Sequence, residues 1–289
     1  MRTVSSNFFK LLQDSKFWLS ATGIGLSGIY LSLVWKLTGN FSFLSISLIL
    51  LGTVFYLLWE KRDSLNVESD VFSTFLGLLL IASVLIKNTV DPYFGFLFQI
   101  SPLLSGLGLA LLASGIKGFK QYGQEFTLIL AISIPETLLL QIFDVSLITA
   151  KFAAFFLIHL GFEVSLQGVN LILPTGAVEV TPGCSGFENM IWLLRLAALF
   201  LILFPSTLWK KILVPITAIV LGFLVNSARV ALMAFLVAYS NQDAFKYWHE
   251  GDGAQVFSFI SALIFGALCY FLIFKNETSP SDSVELPKP

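Results

Sequence analysis

Three side chains in the C-terminal half have types that can do chemistry: the thiol of Cys184 as a nucleophile, the imidazole of His249 as a proton carrier and the guanidinium of Arg229 as a partner for an anion. Cys184 stands in the stretch "VEVTPGCSGFENMIW", residues 178–192. A free cysteine is more often a small inert hydrophobe than a reactive group. Cys269, inside "SALIFGALCYFLIF", fits that ordinary role. Cys184 does not, because Gly183, Ser185 and Gly186 leave its sulfur accessible and an apolar helical run begins just after it. Backbone N–H groups at a helix start favour an anion there, whether a thiolate or an oxyanion.

Arg229 lies in "LGFLVNSARVALMAFLVAYS", an otherwise apolar stretch. An arginine inside a membrane helix costs at least about 2.5 kcal/mol on insertion scales, so such residues usually mark function. The ordinary alternative is a side chain snorkelling to the interface. Arg229 stands 17 residues past Ile212, roughly 26 Å along a helix at 1.5 Å per residue. That depth puts it level with Cys184. Asn226, three residues earlier, shares its helix face and is placed to orient the guanidinium. His249 sits in the loop "NQDAFKYWHEGDGAQ", and Asp252 either orients its ring or serves the turn. The other histidine, His159 in "FFLIHLG", reads as structural or interfacial. Glu188 and Arg195 follow Cys184 by four and eleven residues. Glu188 partners the helix dipole in the simplest reading. Arg195 either pairs with a buried carboxylate such as Glu136 or lines a groove.

The elements that must position these groups are membrane helices. The chain is 56% hydrophobic and 12% charged, against roughly 45–50% and about 25% in soluble domains. Its mean hydropathy is +0.84. Continuous apolar runs fall at 17–35, 41–59, 71–86, 94–116, 126–143, 146–161, 187–204, 212–239 and 254–274. Crossing a bilayer takes roughly 20 helical residues, so this is an all-α polytopic membrane protein. Runs without alternation exclude a β-barrel. A net charge of −1 without a basic stripe excludes a nucleic-acid partner. Two cysteines without CxxC or zinc spacing give neither a disulfide framework nor a metal site. Nothing in the sequence points to a cofactor.

Lys and Arg in short loops set the orientation. Arg2, Lys10, Lys16, Lys61, Arg62, Lys117, Lys120, Lys210, Lys211 and Lys275 put both termini in the cytoplasm. Nine spans cannot join two termini on one side. Pro135, Glu136, Asp144 and Lys151 interrupt the 126–161 region, so one of its two runs is interfacial or re-entrant and about eight helices cross. The loops around Cys184 and His249 are then extracytoplasmic. "GFEVSLQGVNLILPTGAVEV" alternates and carries turn residues, which predicts a short β-like hairpin before the cysteine. The chain divides into a four-span region (1–125), a catalytic membrane core (126–274) and a polar, disordered tail (275–289).

The run "GFEVSLQGVNLILPTGAVEVTPGCSGFENMIWLL", then "NSAR" in a later span, then His249 before the last span, resembles the exosortase/archaeosortase family over residues 130–274. "CSGFENM" looks like a cyanobacterial branch of it. The resemblance implies a membrane cysteine protease or transpeptidase of the bacterial inner membrane. Its substrates would be membrane-anchored exported proteins with C-terminal sorting signals: a Pro-Glu-Pro motif (PEP-CTERM-like), a membrane helix and a basic tail. It implies Cys184 as nucleophile with Arg229 and His249 as its partners. Many members have arginine four residues after the cysteine, where this chain has Glu188, so a substrate contact made by that arginine does not carry over to this position.

Cutting an amide needs a nucleophile, a proton handler and an anion stabiliser. A thiol, an imidazole that changes charge near neutral pH and a permanently charged guanidinium supply them. A thioester would form, to be resolved by an amine, a lipid or glycan acceptor, or water. A polytopic transporter or lipid-handling protein is the alternative from another class. It would usually show internal repeats or paired broken helices, and no convincing repeat is present. A structural subunit would need no accessible thiol.

Overall fold

The computed structural model describes residues 15–249 and 253–273. The N-terminal basic residues Arg2 and Lys10, Asp252, and the polar tail from Lys275 onward lie outside them. The chain separates into two compact units, divided between Val145 and Ser146.

The first unit opens with α1 (Ser15–Thr38), α2 (Phe41–Glu60) and α3 (Val71–Val90). Side-chain oxygens start the second and third. Asn40 accepts from the Phe43 amide at 3.0 Å and Asp70 from the Ser73 amide at 3.1 Å, each satisfying one orphan donor of a helix N-terminus. Hydrogen bonds from the Ser73 hydroxyl and amide hold the Asp70 carboxyl below its ordinary pKa. The apolar run predicted at 71–86 is longer as a helix. It continues through Lys87, whose ammonium folds onto the carbonyl of Asp91 at 2.9 Å, so the charge that ends the hydropathy signal does not end the helix.

The run at 94–116 forms α4 (Phe96–Gln99) and α5 (Ser101–Ser114), with Pro102 in the first turn of α5. Helix α3 packs on α5 through glycines: a Cβ on Gly77 would stand 2.7 Å from the Gly108 carbonyl oxygen. Backbones this close are the usual way membrane helices gain contact without a hydrophobic driving force. After Gly115 the chain turns through 118° into a 3₁₀ stretch (Ile116–Tyr122) and α6 (Gly123–Ile132). Ser133 to Pro135 then break the helix before α7 (Glu136–Ile142). The interruption expected at Pro135 is therefore present.

The second unit begins with α8 (Ser146–His159). A three-stranded antiparallel sheet follows: β1 (Ser165–Gln167), β2 (Asn170–Leu173) and β3 (Gly176–Glu179), in that spatial order. The predicted hairpin is thus extended by one strand. The pairings Gln167 with Asn170 and Leu173 with Gly176 leave two-residue turns at Gly168-Val169 and Pro174-Thr175. Next come a 3₁₀ turn (Pro182–Cys184), α9 (Phe187–Leu203), α10 (Leu208–Ala238), α11 (Gln242–His249) and α12 (Gly253–Ile273).

Five helices, α1, α2, α3, α10 and α12, are long and apolar enough to cross a membrane; the count rises to seven if each bent pair (α5 with the 116–132 segment, α7 with α8) makes one span. Helix α9, 17 residues long, reaches about 25 Å and is shorter than these candidates, so the structure offers five to seven spans where the sequence reading expects about eight. Large apolar side chains such as Phe75, Leu78 and Leu263 point outward, as lipid rather than water requires.

Two clusters hold the second unit together. Ala150, Ala153 and Ala154 of α8 meet Val230, Ala231 and Ala234 of α10, with Leu171 and Leu173 of the sheet above them. Small residues on both helices let the backbones approach closely. Leu193 and Ala197 of α9, Val214 and Ala218 of α10, and Phe265 and Cys269 of α12 form the other. Cys269 is fully buried there.

Candidate active site

The sheet hands the chain to the cysteine turn. Thr175 donates its hydroxyl to the Ala238 carbonyl at 2.7 Å, tying the β2–β3 turn to the end of α10. After β3 the backbone closes into a tight turn in which the Cys184 amide donates to the Thr181 carbonyl (2.9 Å) and the Ser185 amide to the Pro182 carbonyl (3.2 Å). The Ser185 hydroxyl also donates to Pro182 O at 2.6 Å, and Thr149 of α8 donates to the Ser185 carbonyl at 2.7 Å. The turn is pinned from both sides. Its thiol is half-buried, while Ser185 beneath it is fully buried.

Gly186 then starts α9 with φ +90°. This left-handed conformation suits glycine. A Cβ there would also sit 2.7 Å from the side chain of Asn226. Asn226 packs this closely because its Nδ2 donates to the Cys184 carbonyl at 2.8 Å. The sequence reading has Asn226 orient the guanidinium of Arg229; its observed bond is to the backbone of the cysteine itself. Asn189, in the first turn of α9, donates to the Gly222 carbonyl of α10 (3.0 Å) and to Ser261 of α12 (3.1 Å). Three helices are thereby clamped one turn below the thiol.

His249 closes the site. Its Nε2 stands 3.3 Å from the Cys184 sulfur. The ring stacks on Phe245, one turn earlier in α11, with centroids 5.1 Å apart and planes 16° from parallel. Arg229 Nη2 donates to the His249 carbonyl at 2.8 Å. The guanidinium is therefore tied to the chain that carries the imidazole, and Cys184 and Glu188 both lie within its electrostatic reach. Among the described residues the buried Nε of Arg229 has no hydrogen-bond partner. Arg229 falls nine residues before the end of α10, about 14 Å at 1.5 Å per residue.

The structure thus brings together Cys184, Arg229, His249 and Asn226, with Glu188 exposed at the rim. Arg195 is apart from them: it is buried at 2% exposure in α9, eight residues or roughly 12 Å past the helix start. Asp252 lies outside the described residues. His159 is exposed at the end of α8, its ring tilted 43° against Phe155. Sequence reasoning missed Thr149 and Phe245. Phe245 left a signal, an aromatic four residues before the histidine on one helix face. Thr149 left none, since its partner is 36 residues away.

A thiol and an imidazole at this distance, with a guanidinium beside them, have the geometry of an activated nucleophile. The amides of Cys184 and Ser185 are already committed within the turn. Arg229 and the amides that open α9 are the donors left to meet a developing anion. Among the described residues no three His, Cys, Asp or Glu side chains stand close enough to hold a metal ion.

No curated protein and no solved structure matches the chain significantly. A family model does: that of the transmembrane exosortases (Exosortase_EpsH) matches residues 39–266. With most of its length matched and its helices built to cross a membrane, the chain belongs to the transmembrane exosortase family.

Proposed function

We propose that this protein is a membrane-embedded cysteine protease or transpeptidase that cuts the C-terminal sorting signals of exported proteins. Cys184 is the nucleophile, His249 the proton carrier and Arg229 the anion stabiliser. The observation that carries the reading is the 3.3 Å separation of the Cys184 sulfur and His249 Nε2, with Arg229 bonded to the same histidine's carbonyl.

With the ring proton on Nδ1, Nε2 accepts the S–H proton as the sulfur attacks the scissile carbonyl carbon. The carbonyl π electrons move to oxygen, and the guanidinium faces that charge. Collapse re-forms the C=O, breaks the C–N bond and gives the proton from His249 to the leaving amine. A thioester on Cys184 remains. An acceptor amine or hydroxyl transfers the product, or water hydrolyses it, with His249 taking the proton of the incoming group.

The substrates are membrane-anchored proteins of the bacterial inner membrane, approaching laterally so that the cleavage site meets the thiol at the extracytoplasmic end of α9. Lys61, Arg62, Lys117, Lys120, Lys210 and Lys211 support that sidedness.

Co-expression with a membrane-anchored reporter bearing a Pro-Glu-Pro sorting signal, beside Cys184→Ala, tests the reading. A new C-terminus found by mass measurement only with the wild-type chain is expected. Equal processing by Cys184→Ala would overturn it.

A further inference from the structure

The first unit contains an apolar cavity of about 800 Å³, within the roughly 300–1,000 Å³ range of small-molecule sites. Helices α1, α2, α5 and α6 supply most of its wall, with Leu51, Val54, Phe55, Leu109 and Ile129 among the lining. It follows α1 from Lys16 to Tyr30, 14 residues or about 21 Å. One leaflet of the hydrocarbon core is about half of roughly 30 Å deep. The cavity is therefore as long as one acyl chain and part of a headgroup.

Its two ends differ. Lys16, Arg62, Asp63 and Glu125 gather at one end, beside the aromatic rings of Trp59 and Tyr122. This is the basic and aromatic composition of a membrane interface. Lys16 Nζ donates to the Arg62 carbonyl at 2.9 Å, and the Arg62 guanidinium lies 4.6 Å over the Trp59 ring. Glu125 is 3% exposed and pairs through Oε2 with Lys61 at 2.7 Å. Its other oxygen, Oε1, is buried with no hydrogen-bond partner among the described residues. At the far end Asn88 lines both this cavity and a second one of about 590 Å³, which runs between α1 and α3 beside Gly25, Gly28 and Ser32. Gly25, Gly28 and Ser32 are exposed, so the space opens sideways toward the bilayer.

Walls whose middle stretch is this apolar offer ordered water few of the two to four polar partners it needs. Left empty, they lose their dispersion contacts. A chain from the surrounding bilayer fills such a space with no new desolvation.

We infer that the first unit binds one membrane phospholipid, its acyl chain in the apolar cavity and its phosphate at Lys16 and Arg62. Glu125 and Asp63 beside those cations are acceptors, which selects a headgroup that carries a hydrogen-bond donor next to its phosphate: the ammonium of an ethanolamine lipid or the hydroxyls of a glycerol lipid. A choline lipid has no such donor. The site is independent of the Cys184 chemistry.

Full-length protein purified from vesicles of phosphatidylethanolamine, phosphatidylglycerol or phosphatidylcholine, read by native mass spectrometry, tests this. One retained lipid per chain from the first two is expected. Equal retention from phosphatidylcholine would overturn the headgroup assignment. Ser105→Trp, which fills the lumen from α5, should lose the lipid, while Leu78→Trp on the outer face of α3 should keep it. A second measurement needs no variant. A phosphatidylethanolamine with a diazirine in its tail should label peptides bearing Leu51, Val54 and Leu109. Labelling confined to outward residues such as Phe75 and Leu78 would remove the cavity as a lipid site.

Discussion

Replacing Asn226 by aspartate changes one atom of the side chain that fixes the cysteine turn. Asn226 is buried, and its Nδ2 donates to the Cys184 carbonyl at 2.8 Å. An ionised aspartate has the same shape and no donor, and it faces the carbonyl oxygen with a charge. Leaving one buried acceptor unsatisfied costs about 1–3 kcal/mol. If that cost falls on the position of the nucleophile, it corresponds to roughly 5- to 150-fold in rate, at about 1.4 kcal/mol per tenfold. Alanine at the same position removes the donor without adding charge, so Asn226→Ala should lose less than Asn226→Asp. Two assays read the effect. One is the initial rate of reporter processing in membranes, normalised to the amount of inserted protein. The other is the rate of Cys184 alkylation by a small maleimide, which needs no substrate. Both should change, because the bond holds the peptide that carries the thiol. Wild-type rates in both assays for Asn226→Asp would refute the idea that this hydrogen bond positions the nucleophile.

Further expectations concern the neighbours. Gly186→Ala forces a side chain into φ +90° and to 2.7 Å from Asn226; with about 1–3 kcal/mol for the backbone strain alone, it should lower the thermal midpoint of the purified protein and slow processing, and an unchanged midpoint would contradict the close packing. Arg229→Lys keeps the charge but loses the planar fork; a loss of roughly 100- to 1000-fold in processing is expected for an oxyanion donor, and near-normal turnover would show a snorkelling side chain. His249→Ala should slow thioester formation at Cys184, followed by trapping with labelled substrate; accumulation at the wild-type rate would move activation to Arg229 and the start of α9. A membrane-impermeant thiol reagent added outside intact cells should modify Cys184 and leave buried Cys269 untouched, and the reverse pattern would sink the proposed sidedness.

What the sequence determines here is whatever depends on near neighbours. Apolar runs of bilayer length specify helices because the backbone must satisfy its own hydrogen bonds in lipid. Turn residues at Gly168 and Pro174 punctuate an alternating stretch, and strands form on either side. The unusual settings of Cys184 and Arg229 are visible for the same reason, as a thiol among small residues and a charge within an apolar run. Even so, local signals misplace some ends. Lys87 stops the hydropathy of α3 but not its backbone, and α10 starts at Leu208, with Lys210 and Lys211 inside it, ahead of the apolar run read from 212.

Tertiary structure decides which of these groups meet. Cys184 and His249 are 65 residues apart, and Asn226 and the Cys184 carbonyl 42. No local periodicity encodes such pairings. They follow from the alanine faces that bring α8 against α10 and from the Asn189 clamp that joins α9, α10 and α12. The same holds for the cavity of the first unit. Its residues read one by one as ordinary membrane-helix positions, and only the spacing of α1 from its neighbours leaves a volume between them. A side chain's partner at long range is set by how helix surfaces interlock, and that depends on every contact in the interface at once.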